Sequence, residues 1–439
     1  MRVTTVYCDT AWLDRVEQGV LLSMKGDRIA SVRVDADCPD GALRLHGLVL
    51  PGLVNVHSHA FHRALRGRTH RDGGDFWSWR SLMYRVAARL DPDTYHALAR
   101  AVYGEMALAG ITTVGEFHYV HHDHGGAPYR EPNVMSEALV AAAADAGVRL
   151  TLLDTCYLRG GFGRPLEGPQ LRFGDRSVEA WAARVSSYHP ADVRLGAAIH
   201  SVRAVDEVEA MFVASWAREA AVPLHFHLSE QPAENERCLA ATGKTPSAVL
   251  ADAGALGAAS TAVHATHLTD SDLRLLGTSR TSVCLCPTTE RDLGDGIGPA
   301  GLLSDAGILL SLGSDSNAVI DLFEEARLVD LHERLSLLER GGHHAVDLLE
   351  SATTTGAAAL GWDAGRIEEG ALADLTAITL DSVRTAGAAD PLRAAVHAAT
   401  AADVTDVVVG GEVVVAGGRH LRIPDVPGSL TAAIRAVVD

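Results

Sequence analysis

The sequence predicts an α/β protein, a (β/α)8 TIM barrel with a small β-sandwich domain built from both chain ends. Three observations carry this expectation. Eight short, β-branched apolar runs alternate with Ala- and Glu-rich helical stretches; six of the eight runs end in metal-ligand or acid-base side chains; and hairpin-like sequence flanks the series at both ends.

The first 48 residues read as alternating strands broken by turns, such as Gly19 to Met24 and Asp27 to Val32. From Leu48 the pattern changes. Runs at 48–56, 111–118, 148–157, 193–200, 222–228, 261–267, 281–287 and 308–314 have the length of buried parallel strands, and eight is the number a closed barrel needs. Beyond residue 365, Gly365 to Leu375 returns to hairpin-like sequence, which continues through Val407 to Gly411 and rejoins the N-terminal module. The expected division places residues 1–48 and 366–439 in the sandwich and 49–365 in a metal-dependent barrel.

A chain of 439 residues exceeds one ordinary core, and 47% hydrophobic with 21% charged residues is a globular balance. The formal net charge of −18 argues against a nucleic-acid surface or an anionic membrane as partner, so an anionic substrate must be gripped locally. No run approaches the roughly 18 apolar residues of a membrane span, and the N-terminus lacks a signal-peptide pattern, so the expected compartment is the cytoplasm. Six scattered cysteines fit reduced intracellular thiols; Cys284 and Cys286 read as buried small hydrophobes on one strand face.

In a (β/α)8 barrel, chemistry gathers where strands end. His57 and His59, one residue apart, project the same way and can share one ion. Adding His227 at the end of the fifth run and Asp315 at the end of the eighth gives three nitrogens and one oxygen. That set suits one Zn2+, with Fe2+ or Mn2+ as alternatives, and leaves a position for water. A second metal would call for a bridging carboxylated lysine on the fourth strand, yet the chain has only Lys25 and Lys244, neither of them there. Zinc lowers the pKa of water towards about 7. Protons must then be moved, and Glu230, three residues after His227, and His264, on the adjacent strand, are placed to do so together with Asp315.

With the order His-Xaa-His, strand-five His, strand-six His and strand-eight Asp, and the returning Gly365 to Leu375 segment, the chain resembles the amidohydrolase superfamily over essentially its full length. The absent lysine and His227-Leu228-Ser229-Glu230 are similar to its mononuclear deaminase branch. More narrowly, His57 to Phe61, Phe76-Trp77-Ser78-Trp79-Arg80, Gly115 to His121, His200-Ser201-Val202-Arg203 and Ser314 to Asn317 resemble the N-formimino-L-glutamate iminohydrolase (formimidoylglutamate deiminase) family of histidine degradation. That resemblance implies hydrolysis of N-formimino-L-glutamate to N-formyl-L-glutamate and ammonia. The formimino carbon is flat and electrophilic, and two carboxylates lie at the substrate's other end. Arg203 can pair bidentately with one and Arg80 with the other. By the same resemblance Tyr119 and His200 donate hydrogen bonds to the ligand, while Trp77 and Trp79 wall the first long loop.

At one position the chain departs from this pattern. His62 stands where similar sequences carry glutamine; it can still donate one hydrogen bond, but it is shorter and titrates. The run His121-His122-Asp123-His124 is expected to be a solvated loop, because Gly125-Gly126 follows. Two other readings stay open: a related deaminase acting on a nucleobase, nucleoside or triazine, and a non-catalytic scaffold on the same barrel. A homodimer is the expected assembly.

Overall fold

The computed structural model describes residues 2–70 and 76–439, with the backbone alone for 76–78. The chain opens with β1 (Thr5–Trp12), β2 (Val16–Lys25), β3 (Arg28–Arg33) and β4 (Leu43–Pro51). It then lays down β5 (Leu53–Ser58), β6 (Ile111–His118), β7 (Arg149–Cys156), β8 (Arg194–Ile199), β9 (Leu224–Leu228), β10 (Ser260–His264), β11 (Ser282–Leu285) and β12 (Leu310–Leu312). The last four strands are β13 (Leu375–Ile378), β14 (Val404–Val409), β15 (Glu412–Ala416) and β16 (Arg419–His420).

Strands β5 to β12 pair in sequence order and in parallel, forming an eight-stranded barrel. Every residue of β5, β6 and β9 is buried, as expected of strands covered on both faces. The barrel closes between its first and last strands. Asp315 N–H donates to the His57 carbonyl at 2.9 Å and His59 N–H to the Asp315 carbonyl at 3.0 Å, with a parallel bridge at Ser58. The other eight strands make one mixed sheet in the order β16-β15-β14-β13-β4-β1-β2-β3, so both chain ends contribute to it. Leu375 of β13 sits opposite Pro51 of β4, which ties the two ends together at the centre of that sheet.

The apolar run expected at 48–56 divides. Its first part completes β4 in the mixed sheet, and its second part is β5 of the barrel. Both parts are buried, so hydrophobicity alone shows no break between them. Gly52 makes the passage: a Cβ there would lie 2.3 Å from the Thr112 hydroxyl oxygen, and its N–H donates to the Asp374 carbonyl at 2.9 Å.

Around the barrel the helices follow their local signals. The helix Pro92–Leu108 starts at Asp91, whose side chain caps Thr94 N–H in a capping box with Pro at the first turn. It packs against Val134–Ala146 and against the C-terminal helix Val426–Val438, so the end of the chain returns to the barrel. Among the described residues no helix is long and apolar enough to cross a membrane.

Closure also needs a glycine. A Cβ on Gly313, at the end of β12, would meet His57 Cβ at 2.8 Å and the His57 carbonyl oxygen at 2.9 Å. Gly313→Ala is therefore expected to cost about 1–3 kcal/mol of stability and to displace His57. Chemical denaturation together with metal content checks this; an alanine variant with unchanged midpoint and full metal content contradicts it.

Candidate active site

The side chains expected to hold a metal converge. One ligand atom each from His57, His59, His227 and Asp315 lies within 4.8 Å of the others, and all four residues are buried. His57 Nε2 is 3.2 Å from His227 Nε2 and 3.3 Å from Asp315 Oδ1; His59 Nε2 is 3.4 Å from the same oxygen. Two backbone carbonyls fix the ring tautomers. His59 Nδ1 donates to the Phe117 carbonyl at 2.9 Å and His227 Nδ1 to the His200 carbonyl at 2.8 Å. Their Nε2 lone pairs are thereby aimed at the common centre.

Electrostatics favours the same arrangement. Burial, reinforced by the neighbouring imidazoles, holds His59 and His227 well below the ordinary histidine range, and burial lowers His57 against the pull of Asp315. Burial would raise the Asp315 carboxyl, yet the hydrogen bond from His57 and the surrounding rings hold it well below the usual carboxylate range. Three neutral imidazoles and one carboxylate around a point is a donor set for a divalent cation. Two imidazole nitrogens only 3.2 Å apart gain little from each other unless a cation or proton sits between them. The residues present thus fit one zinc-like ion. Among the described residues this is the one group with ligand atoms so gathered.

Asp315 is positioned by a buried polar clamp across the closure. Asn55 of β5 donates to Ser314 Oγ at 2.7 Å and accepts Ser314 N–H at 2.9 Å. Ser314 Oγ donates to Asn317 Oδ1 at 2.7 Å, and Asn317 Nδ2 returns to the His59 carbonyl at 3.0 Å. Ser229, His264, Ala265, Asp315 and Asn317 all carry positive φ, between 42° and 70°. The left-handed residues gather where the strands end around this centre, and such strain is sustained by packing that over-determines it.

His264, at the end of β10, lies 3.9 Å from Asp315 Oδ2 and 3.8 Å from Glu230 Oε1 through Nε2. Its other nitrogen faces Glu290 Oε1 at 3.3 Å, and that oxygen also accepts Cys286 N–H at 2.9 Å. Burial alone would lower His264, but Glu230, Glu290 and Asp315 together raise it well above the ordinary value. Glu230 follows β9, and its N–H faces Glu234 Oε2 at 3.3 Å. Glu234 Oε1 in turn lies 3.5 Å from Arg203 Nε. Glu290 and Glu234, which hold His264 and Arg203, were not evident in the sequence. Each lies within the first turns of the helix after its strand, four residues past Cys286 and Glu230, which is the one signal that could have pointed to them.

A cavity opens over this centre. His62, Arg80, Tyr119, His200, Arg203, Glu230 and His264 all line it with His59, His227 and Asp315, so every residue expected to face a substrate is present. His62 Nε2 and the Tyr119 hydroxyl hydrogen-bond to each other at 2.8 Å, and the His62 ring packs 4.5 Å from His59 and 5.1 Å from Trp79. Arg80 Nε donates to the Tyr84 hydroxyl at 2.6 Å. His200 packs 4.2 Å from Tyr157. Trp79 walls the cavity as expected, whereas the side chain of Trp77 lies outside the described residues. Tyr84, Tyr157 and Phe173 complete an aromatic wall that the sequence did not reveal.

The loop after β6 corrects an expectation. His121 and His122 are buried, at 1% and 6% exposure, rather than solvated, while His124 is exposed. His121 Nε2 donates to the Thr155 carbonyl at 2.9 Å and His122 Nε2 pairs with Asp175 at 3.2 Å. Arg172, fully enclosed, donates to the carbonyls of His122 and Leu90. Gly125-Gly126 marks only the tip of this loop; Asp154, Asp175 and Arg184 draw its start into the protein.

The chain matches the amidohydrolase family over residues 48–414. It belongs to that family. The formimidoylglutamate deiminase of Pseudomonas aeruginosa is 37% identical over 408 residues, covering 89% of this chain and 90% of that protein. A 5-methylthioadenosine/S-adenosylhomocysteine deaminase of Natronomonas pharaonis is 30% identical over 396 residues, 89% of this chain and 86% of that one. Among solved structures, an amidohydrolase from Brucella melitensis superposes with a TM-score of 0.90 at 31% identity, covering 99% of this chain and 100% of that one. An atrazine chlorohydrolase of Arthrobacter aurescens, complexed with zinc and atraton, shares the fold with a TM-score of 0.88 at 24% identity, over 98% and 99% of the two chains. This amidohydrolase is accordingly an enzyme of a hydrolase family whose relatives include deiminases and deaminases.

Removal of a bound ion by a chelator at neutral pH is expected to abolish hydrolysis, and about one equivalent of Zn2+, Fe2+ or Mn2+ to restore it. Activity that survives chelation with no metal left by elemental analysis contradicts the assignment of His57, His59, His227 and Asp315.

Proposed function

We propose that this enzyme hydrolyses N-formimino-L-glutamate to N-formyl-L-glutamate and ammonia, a step of histidine degradation. One observation carries the reading: Arg203 and Arg80 line the same cavity as the three-histidine, one-aspartate centre. A substrate with a flat amidine carbon at one end and two carboxylates at the other meets a matching group at each end. Similarity to the Pseudomonas aeruginosa deiminase supports the same choice.

A divalent ion on His57, His59, His227 and Asp315, zinc in the first place and iron or manganese otherwise, would supply the Lewis acid that makes water nucleophilic near neutral pH. Asp315 accepts a proton from the attacking water, helped by His264, 3.9 Å away. Oxygen adds to the formimino carbon, giving a tetrahedral centre. Asp315 returns its proton to the departing nitrogen and Glu230, in reach of His264, relays to it the hydroxyl proton of the tetrahedral centre, so that the C–N bond breaks, ammonia leaves and a formyl group remains. Arg203, held from behind by Glu234, and Arg80 fix the carboxylates, so that the carbon is presented to the water in one orientation. Tyr119 and His200 donate to the same ligand. His62 reaches it by exchanging its bond to the Tyr119 hydroxyl for one to substrate.

The aromatic wall of Tyr84, Tyr157 and Phe173 favours a second reading, a deaminase for a nucleobase or nucleoside, since such rings stack on a base. Paired guanidiniums suit that ligand poorly. An ammonia-release assay comparing N-formimino-L-glutamate with 5-methylthioadenosine, guanine and cytosine separates the two: preference for the dicarboxylate is expected, and preference for a base overturns the proposal. Asp315→Asn and His264→Asn should each lower turnover by about 10²–10⁴-fold with circular dichroism unchanged, and near-normal turnover of either contradicts its role.

A further inference from the structure

Arg203 and Glu230 both line the reaction cavity, and one buried carboxylate behind them touches both. Glu234 stands in the first turn of the helix Pro232–Thr242 and is 4% exposed. Its Oε1 lies 3.5 Å from Arg203 Nε, in the connection after β8. Its Oε2 lies 3.3 Å from the backbone nitrogen of Glu230, in the connection after β9. Both spacings are long, since a charge-assisted N–H···O bond settles at about 2.7–2.9 Å. Arg203 Nε and Glu234 Oε1 are both buried, and neither has a hydrogen-bond partner among the described residues. Opposite charges held just short of a bond, away from water, carry a cost that closing the gap removes.

Glu234 itself stands on firm ground. Its N–H donates to the Gln231 carbonyl at 2.9 Å, and Nδ2 of the next residue, Asn235, donates to the His267 carbonyl at 2.7 Å. The start of the helix is thereby tied to the connection after β10. Arg203 and Glu230, by contrast, lie outside regular elements, and Ser229, just before Glu230, holds a φ of 50°. The gaps on either side of Glu234 therefore close by movement of the two connections, with the helix as the fixed post between them.

We propose that Glu234 is a positioning residue that couples recognition of a substrate carboxylate at Arg203 to the seating of Glu230, the proton carrier. The inference rests on the reading that the substrate is a dicarboxylate and that Glu230 moves protons. A guanidinium has five N–H donors, so Arg203 can hold a carboxylate through its terminal nitrogens and Glu234 through Nε. A carboxylate that fixes Arg203 presses Nε onto Glu234, and the carboxylate of Glu234, now held, draws in the Glu230 amide. Binding energy from the remote end of the substrate is then realised as turnover as well as affinity. A ligand without that carboxylate leaves the gaps open, which makes Glu234 a determinant of specificity.

Crystal structures of the metal-loaded enzyme with and without glutarate, a plain dicarboxylate, read the coupling directly. With glutarate, the spacings from Glu234 to Arg203 Nε and to the Glu230 nitrogen are expected to shorten to about 2.7–3.0 Å. Glutarate absent from Arg203, or seated there with both spacings unchanged, overturns the proposal. In kinetics, Glu234→Gln keeps the size of the side chain and loses its charge. It is expected to lower kcat for N-formimino-L-glutamate about tenfold and to raise KM, with thermal midpoint and metal content kept. In the Arg203→Met background the same change should add little, because the coupling runs through Arg203. A rise in KM alone, or a kcat loss that multiplies in full with that of Arg203→Met, overturns the coupling. If the wild-type enzyme releases no ammonia from N-formimino-L-glutamate, the substrate reading fails, while spacings that close on glutarate still support the coupling.

Discussion

The site depends on how the barrel closes. Strands β5 and β12 are far apart in sequence, yet the Asp315 and His59 amides exchange hydrogen bonds with the His57 and Asp315 carbonyls. Closure itself therefore sets the acidic ligand beside the His-Xaa-His pair. Gly313 permits the approach, and the Asn55, Ser314 and Asn317 clamp secures it with hydrogen bonds that leave its buried polar groups paired. A fold that closes incorrectly would lose its core and its chemistry together.

Burial gives that geometry its electrostatic character. Imidazoles shielded from water stay neutral and offer lone pairs, while the one carboxylate among them stays ionised. His264 is the exception, since Glu230, Glu290 and Asp315 surround it and favour its charged form. One barrel mouth thus holds histidines of two kinds. Three are suited to bind a cation, and a fourth, ringed by carboxylates, is suited to move protons.

Much of this was legible in the sequence because the relevant residues sit at the ends of strands, and strand ends are marked by the switch from apolar runs to polar side chains. His57, His59, His227, His264 and Asp315 were found on that rule alone. Residues defined by long-range contact were not. Glu290 acts on a histidine 26 positions away, and Asn55 on a serine 259 positions away; neither relation leaves a local pattern. The break at Gly52 was hidden because burial is continuous across it. His121 and His122 read as polar loop residues, but partners from later elements, Thr155, Asp154 and Asp175, bury them. Arg203 and Arg80 were visible as residues.

The geometry calls for one divalent ion at the closure seam, on three imidazoles and one carboxylate. X-ray absorption at the metal edge of the purified enzyme tests it most directly. Nitrogen and oxygen neighbours at about 2.0–2.2 Å are expected, with the outer-ring scattering of three imidazoles. In His57→Ala that scattering would fall or the metal would be lost. Sulfur neighbours, a metal–metal distance, or a spectrum unchanged by loss of His57 would contradict it.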